Sequence, residues 1–183
     1  MRTVQEGQSL LLQVDHSDRP IGLVEKQEAH LKGILHRAFS IFIFREVGSA
    51  PQLLLQQRAL HKYHSGGLWT NTCCGHAEAD LPIGITASNR LQTEMGFSCP
   101  LSFLGTFYYK KEVGNGMTEH EIDHLFAAFH NPPTIHPNPE EAGAFKWIDI
   151  KELETALATE PHAFTAWFPE AFAIALKFLK KVG

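Results

Sequence analysis

Two carboxylates stand two residues apart in the segment Glu119-His120-Glu121. The segment begins a predicted strand, and side chains two apart on a strand project from the same face. Neighbouring carboxylates repel each other unless a cation lies between them or one of them holds a proton. Taken alone, such a pair is more often two solvated groups on an outer face, so a functional interpretation needs further residues.

Histidines supply candidates for those further residues, since the chain contains 11 of them. His30 and His36 precede the first predicted strand, and His76 ends a glycine-rich segment. Each of these residues, taken singly, is more commonly a surface or core residue than a ligand. Together with the carboxylates, their ring nitrogens would suit a divalent ion such as Mn²⁺, Mg²⁺ or Zn²⁺. The sequence does not itself bring them together, so this metal site is a hypothesis.

A thiol lies beside one of these histidines, because Cys74 precedes His76 by two positions. Most cysteines serve as small buried hydrophobic residues, and that interpretation fits Cys73 better than Cys74. A thiol near a metal-bound carboxylate can act as an acid or base close to neutral pH. Cys74 is therefore a candidate for proton transfer.

Four cations are spread along the chain, and each taken singly is ordinary surface charge. Brought together, they would suit a diphosphate group. They are Lys26, Arg58, Lys62 and Arg90.

The elements that must position these groups are strands with helices after them. Apolar runs and turn residues predict a hairpin of strands at 38–46 and 52–60, an irregular loop at 64–76, a helix at 85–95 ending at Gly96, strands at 101–111 and 121–130 joined around 114–116, a strand at 144–150, and helices at 151–159 and 163–182. This order predicts one α+β domain over residues 1–183, with a mixed β-sheet flanked by helices.

Composition narrows the class of protein. A net charge of −4 argues against a broad nucleic-acid-binding face. No apolar run reaches the ~20 residues of a membrane span, and the first 20 residues lack the features of a secretory signal. Three cysteines, two of them adjacent, make a poor disulfide framework and predict a reducing, cytoplasmic setting.

A specific motif connects these observations. The segment Leu68-Trp69-Thr70-Asn71-Thr72-Cys73-Cys74-Gly75-His76 resembles the WTN-x-x-C-G-H signature of type I isopentenyl-diphosphate isomerases. The resemblance extends from residues 23–26 to residues 164–167 and includes Arg58-Ala59-Leu60 and Glu119-His120-Glu121 in the expected order. It implies a Nudix-type fold with an N-terminal extension.

The resemblance also implies a role for each matching residue. Cys74 and Glu121 match the catalytic pair, Tyr109 the tyrosine beside the glutamate, and Trp167 the tryptophan facing the reacting carbons. Glu94 matches the glutamate that helps hold a second ion, a Mg²⁺ bridging to the diphosphate. The diphosphate-binding cations match Lys26, Arg58, Lys62 and Arg90, and the ligands of the first ion match His30, His36, His76, Glu119 and Glu121.

The implied reaction interconverts isopentenyl diphosphate and dimethylallyl diphosphate for isoprenoid biosynthesis. One group adds a proton to an alkene carbon, another removes a proton, and a tertiary carbocation forms between the two steps. An indole face can stabilise such a cation by ~2 kcal/mol in a desolvated pocket. The expected partner is a small isoprenoid diphosphate, the expected cofactors are divalent ions without flavin, and the expected state is a monomer.

Two alternatives remain. Residues 75–97 have the spacing of a Nudix hydrolase box, but of its carboxylates only Glu94 is present, and such hydrolases need several to bind Mg²⁺ and activate water. A non-catalytic binding protein would be favoured had Cys74 or Glu121 been replaced. The unrelated flavin-dependent isomerases form a barrel of typically ~250 residues, and nothing here resembles it.

Overall fold

The computed structural model describes residues 9–48 and 50–182. The elements, in chain order, are β1 (Leu10–Val14), β2 (Pro20–Glu25), α1 (Lys26–Lys32), β3 (His36–Val47), β4 (Ala50–Arg58), β5 (Trp69–Thr70), β6 (Cys73–His76), α2 (Ile83–Met95), β7 (Ser102–Gly114), β8 (Met117–Phe129), β9 (Ala142–Asp149), α3 (Ile150–Thr159) and α4 (Phe168–Val182). A short 3-10 turn, Pro161–Ala163, separates the last two helices.

The long strand β3 organises the sheet. It pairs in parallel with β8, while its first half pairs antiparallel with β6 and its last residues pair with β4. Ala38 therefore has His76 and Asp123 as its two cross-strand partners, and His36 pairs with Glu121. Three segments far apart in the sequence thus meet at the amino end of β3. The expected mixed sheet flanked by helices is confirmed.

The core lies on both faces of this sheet, because alternate residues of β3 face opposite ways. Phe42 points towards α4, where its ring stacks against Phe168 with centroids 6.3 Å apart. Ile41 points to the other face and packs with Leu91 of α2. All four residues are fully buried, and each buried side chain of this size contributes roughly 1.5–3 kcal/mol. Helices on both sides thus hold β3 rigidly.

Most of the expected elements are present. The hairpin of β3 and β4 is confirmed, as is the turn between β7 and β8, where Asn115 and Gly116 have φ angles of 54° and 71°. The helix α2 ends at Gly96 as predicted, with φ of 77°. A Cβ atom at Gly96 would lie 2.7 Å from the carbonyl oxygen of His136, so only glycine fits there.

Other expectations were wrong. The segment 64–76 contains β5 and β6, because its polar side chains find partners in the neighbouring strands: Thr72 Oγ1 accepts from Ile43 N and donates to Leu54 O. The last helix begins at Phe168 and not at 163, because the Thr165 N–H donates to the Trp69 carbonyl and keeps that segment extended.

The N-terminal region also differs from the expectation. Strands β1 and β2 were not predicted, although they form an antiparallel hairpin that joins β3 through Gln13 and His36. The expectation that no secretory signal is present concerns residues 1–20, of which 1–8 lie outside the described residues. Within the described ranges, no helix has the length and apolar character that a membrane span requires.

Candidate active site

A cavity lies at the amino end of β3. Its wall is made largely of polar and charged side chains from strands and loops that are distant in sequence. The predicted residues in the wall are Lys26, Arg58, Lys62, Cys74, His76, Arg90, Glu94, Tyr109, Glu119, Glu121 and Trp167. His30 and His36 are fully buried behind Glu119 and Glu121.

Three histidines and two glutamates converge at one side of this cavity. Atoms of His30, His36, His76, Glu119 and Glu121 that can ligate a metal all lie within 4.8 Å of one another. His30 Nε2 is 3.0 Å from Glu119 Oε2, and His76 Nε2 is 3.2 Å from Glu121 Oε1. The prediction that Glu119 and Glu121 share a strand face is confirmed, since both are buried while His120 hydrogen-bonds with Tyr108 on the other side.

The orientation of the rings tests whether a cation fits this cluster. Nδ1 of His30 donates to the Lys26 carbonyl, and Nδ1 of His36 donates to the Ile34 carbonyl. Nε2 of each ring therefore points at the carboxylates, and His36 Nε2 is buried without a hydrogen bond although Glu121 Oε1 lies 3.3 Å away. Ring nitrogens that face carboxylates suit a divalent ion, and the backbone contacts orient the rings for it. The donor set fits a metal.

The two carboxyl groups of the cluster differ in proton affinity. Burial opposes ionisation of Glu119, but hydrogen bonds from His30 and His64 hold its pKa well below the usual range. Burial and the neighbouring Glu119 charge raise the pKa of Glu121 to about 7. Tyr109 donates a 2.5 Å hydrogen bond to Glu121 Oε2. Paired groups with separated pKa values are characteristic of acid/base sites.

The two adjacent cysteines lie on opposite faces of β6. Cys73 is fully buried among core residues that include Leu91 of α2. Cys74 lines the cavity, and its Sγ donates to Asn71 Oδ1 at 3.1 Å. Burial, together with the charge of Asp123, raises the pKa of the Cys74 thiol to about 12. Of the two thiols, that of Cys74 therefore faces the cavity, and it holds its proton at neutral pH.

The predicted cations do converge at the cavity. Burial, and then repulsion by Lys62, lowers the pKa of Lys26, which indicates that these positive charges lie close together. Arg90 pairs with Glu94, and both Arg90 and Lys62 reach Glu141, at 3.4 and 2.5 Å. Glu94 and Glu141 thus partly neutralise the positive charge of these cations, which suit an anionic group.

Trp167 is buried, lines the cavity, and is the aromatic ring predicted to face the reacting carbons. The guanidinium carbon of Arg58 lies 5.7 Å from its ring centroid, and the His64 ring approaches it edge-on at 6.3 Å. The indole therefore lies close to both the Arg58 cation and the His64 ring. Its ring nitrogen has no hydrogen-bond partner among the described residues.

Several functional candidates escaped the sequence reasoning. His64 is buried and its Nε2 donates to Glu119 Oε1 at 3.0 Å, while Glu141 bridges Lys62 and Arg90. Gln56 donates to Glu94 Oε2 at 2.9 Å. The only signal for His64 was its place in the glycine-rich segment before the motif. These contacts orient the carboxylates that the prediction had treated singly.

Replacing His64 by leucine is expected to weaken divalent-metal binding by about 10- to 100-fold, since partners that orient a ligand have effects of this size. The hydrogen bond to Oε1 leaves Glu119 Oε2 aimed at His30 and His36. Competition with a chromophoric chelator for Mn²⁺ measures the affinity. His61→Leu is the matched control, because His61 is exposed and pairs with Glu140 outside the cluster. Equal affinity in both variants would refute this role for His64.

The sequence was also compared with known proteins and protein families. Residues 34–168 match the NUDIX domain. The chain is 48% identical over 158 residues to the isopentenyl-diphosphate Delta-isomerase of Burkholderia multivorans, covering 86% of this chain and 88% of the relative. It is 45% identical to the enzyme of that name from Pectobacterium atrosepticum, covering 87% of each.

Solved structures share the fold at low sequence identity. A Deinococcus radiodurans protein superposes with a TM-score of 0.68 at 13% identity, covering 91% of this chain and 98% of its own. The MutT protein of Methanosarcina mazei superposes with a TM-score of 0.60 at 17% identity, covering 76% and 91%. The expected Nudix-type fold is thereby confirmed.

Proposed function

Because the chain belongs to the NUDIX family and, within it, to the isopentenyl-diphosphate Delta-isomerases, we propose that Cys74 and Glu121 interconvert isopentenyl diphosphate and dimethylallyl diphosphate. One observation carries the proposal: a protonated thiol and a carboxyl group of the metal cluster line the same cavity as four cations. Isomerisation moves a double bond by adding one proton and removing another, so it needs two such groups. Each must act as acid in one direction and as base in the other.

The diphosphate binds at the cationic wall of Lys26, Arg58, Lys62 and Arg90. The binding energy of the diphosphate positions the short hydrocarbon chain, which has no polar groups of its own for the protein to bind. Glu94, which Arg90 and Gln56 hold in place, would bind a Mg²⁺ together with the diphosphate oxygens. That ion would neutralise phosphate charge.

The hydrocarbon lies between Cys74, Glu121 and Trp167 in this proposal. The indole face stabilises the tertiary carbocation, and the surrounding protein excludes water that would trap it. Tyr109 holds one oxygen of Glu121 through its hydroxyl, which directs the carboxyl group towards the cavity. Tyr109 thereby fixes the position of one member of the acid/base pair.

The histidine cluster would bind Mn²⁺, Zn²⁺ or Mg²⁺ through His30, His36, His76, Glu119 and Glu121. A cation there would lower the cost of burying two carboxylates and fix the position of Glu121. We further propose that the chain acts as one domain, as a monomer and without flavin. Its unpaired cysteines favour a reducing, cytoplasmic setting.

A direct assay tests this function. The purified protein, supplied with Mg²⁺ and isopentenyl diphosphate but no flavin, is expected to form dimethylallyl diphosphate, detected by proton NMR. Release of inorganic phosphate or of an isoprenoid monophosphate would instead favour a hydrolase. If neither the isomer nor a hydrolysis product forms, the binding-protein alternative is favoured.

A further inference from the structure

We propose that Asn71, supported by Thr70 and Thr165, is a positioning residue that fixes the Cys74 sulfur relative to Trp167. This inference rests on the proposed function, because it concerns the geometry of that reaction. Its basis is a chain of hydrogen-bonded polar side chains, most of which are buried away from the cavity. Thr70 and Asn71 are fully buried, and Thr165 is 1% exposed. Such groups lose stability unless each finds a partner.

The amide of Asn71 has only one possible orientation. Its Nδ2 lies 2.8 Å from the Cys73 carbonyl and 3.2 Å from the Ile41 carbonyl, and it donates to both. Because carbonyl oxygens only accept, the nitrogen of the amide must face them and Oδ1 must face the other way. The strand pairing of β3 and β6 therefore sets where the amide oxygen lies.

That oxygen receives two hydrogen bonds. Thr70 Oγ1 donates to it at 2.9 Å and Cys74 Sγ donates to it at 3.1 Å. An amide oxygen has two lone pairs, so both are used and neither donor is easily exchanged for another. The sulfur of Cys74 is thereby held at a fixed place on the cavity wall.

The chain continues to the segment that carries the indole. Thr165 Oγ1 donates to Thr70 Oγ1 at 2.9 Å, and the Thr165 N–H donates to the Trp69 carbonyl at 3.0 Å. That backbone bond belongs to a parallel β-bridge between Trp69 and Phe164. Trp167 follows two residues later, so one continuous set of hydrogen bonds joins the thiol to the segment that carries the indole proposed to face the reacting carbons.

Replacing Thr70 by valine removes the link while keeping the shape and the strand preference of the side chain. The kcat for isopentenyl diphosphate is expected to fall by about 10- to 100-fold, because small misplacements of reacting groups cause losses of this size. The KM is expected to stay within about threefold, because the cations are untouched. Thr70→Ser, which keeps the hydroxyl, is expected to recover most of kcat.

A matched control separates positioning from general stability. Thr86→Val also removes a buried threonine hydroxyl, but that hydroxyl has no partner among the described residues, so kcat should be unchanged. Thr165→Val should lower kcat less than Thr70→Val, and combining it with Trp167→Phe should give a smaller loss than the product of the single losses. This cycle also serves if Thr70→Val does not fold.

Several results would overturn the inference. These are a wild-type kcat in both Thr70→Val and Thr165→Val, a serine variant as impaired as the valine variant, or independent effects of Thr165 and Trp167. Activity of the unaltered protein keeps the two proposals apart. If the wild type does not isomerise, the proposed function fails; if it does and Thr70→Val matches it, only the positioning role fails.

Discussion

Cys74→Ala is expected to lower kcat by about 10²- to 10⁴-fold, the contribution of a positioned acid or base. The thiol lines the cavity and is the only sulfur there among the described residues. Folding should be little affected, because the side chain is only partly buried and alanine keeps the strand contacts of β6. Steady-state kinetics with isopentenyl diphosphate, alongside thermal unfolding, measure both quantities.

Cys73→Ala is the matched control for this substitution. Cys73 is fully buried in the core beneath α2 and contributes nothing to the cavity wall. Its loss should cost about 1 kcal/mol of stability and leave kcat within a few-fold. The opposite pattern, with Cys73→Ala inactive and Cys74→Ala active, would assign the proton transfer to Cys73, on the opposite face of β6.

Glu121→Gln is expected to have a comparable effect, again about 10²- to 10⁴-fold in kcat. The amide keeps an oxygen that can accept from Tyr109, but it cannot hold or release the proton and is a weaker metal ligand. Kinetics measured together with elemental analysis of bound metal distinguish the two losses. Restoring full occupancy with excess Mn²⁺ should not restore kcat.

Glu112→Gln provides the control, since that glutamate is exposed on the neighbouring strand β7. It should behave as wild type in rate and in metal content. Recovery of Glu121→Gln by added metal would reduce Glu121 to a ligand and move the proton transfer to another group.

Periodicity was sufficient for part of this site. Glu119 and Glu121 share a face because strand side chains alternate, and that holds in any sheet. The strand at 38–46 was recognisable from its Phe and Ile content, since burial on both faces requires an apolar run. These inferences depend only on neighbours in the sequence.

The convergence of distant residues could not be obtained in this way. His36, His76 and Glu121 meet because β6 and β8 pair with opposite sides of the same strand. Pairing between segments this far apart in the chain leaves no periodic pattern in either segment, so only the resemblance to a family predicted it. The five residues that the resemblance named as ligands of the first ion lie together in one cluster.

The site residues that the sequence did not predict also depend on contacts between distant segments. The composition of residues 64–76 favours a loop, because glycine, threonine and asparagine are typical of turns. In the folded chain, Thr70, Asn71 and Thr72 bury those polar groups against carbonyls and hydroxyls of other strands. Glu141 likewise gains its role only where Lys62 and Arg90 meet.

The most direct measurement follows isopentenyl diphosphate and the protein in deuterated water, with the products read by proton and deuterium NMR. If the Cys74 sulfur and the Glu121 carboxyl exchange protons with the alkene, early product will be dimethylallyl diphosphate with one deuterium in a methyl group, and neither single variant will form it at a comparable rate. Unlabelled dimethylallyl diphosphate, or labelled product made at the wild-type rate by Cys74→Ala, would contradict the mechanism.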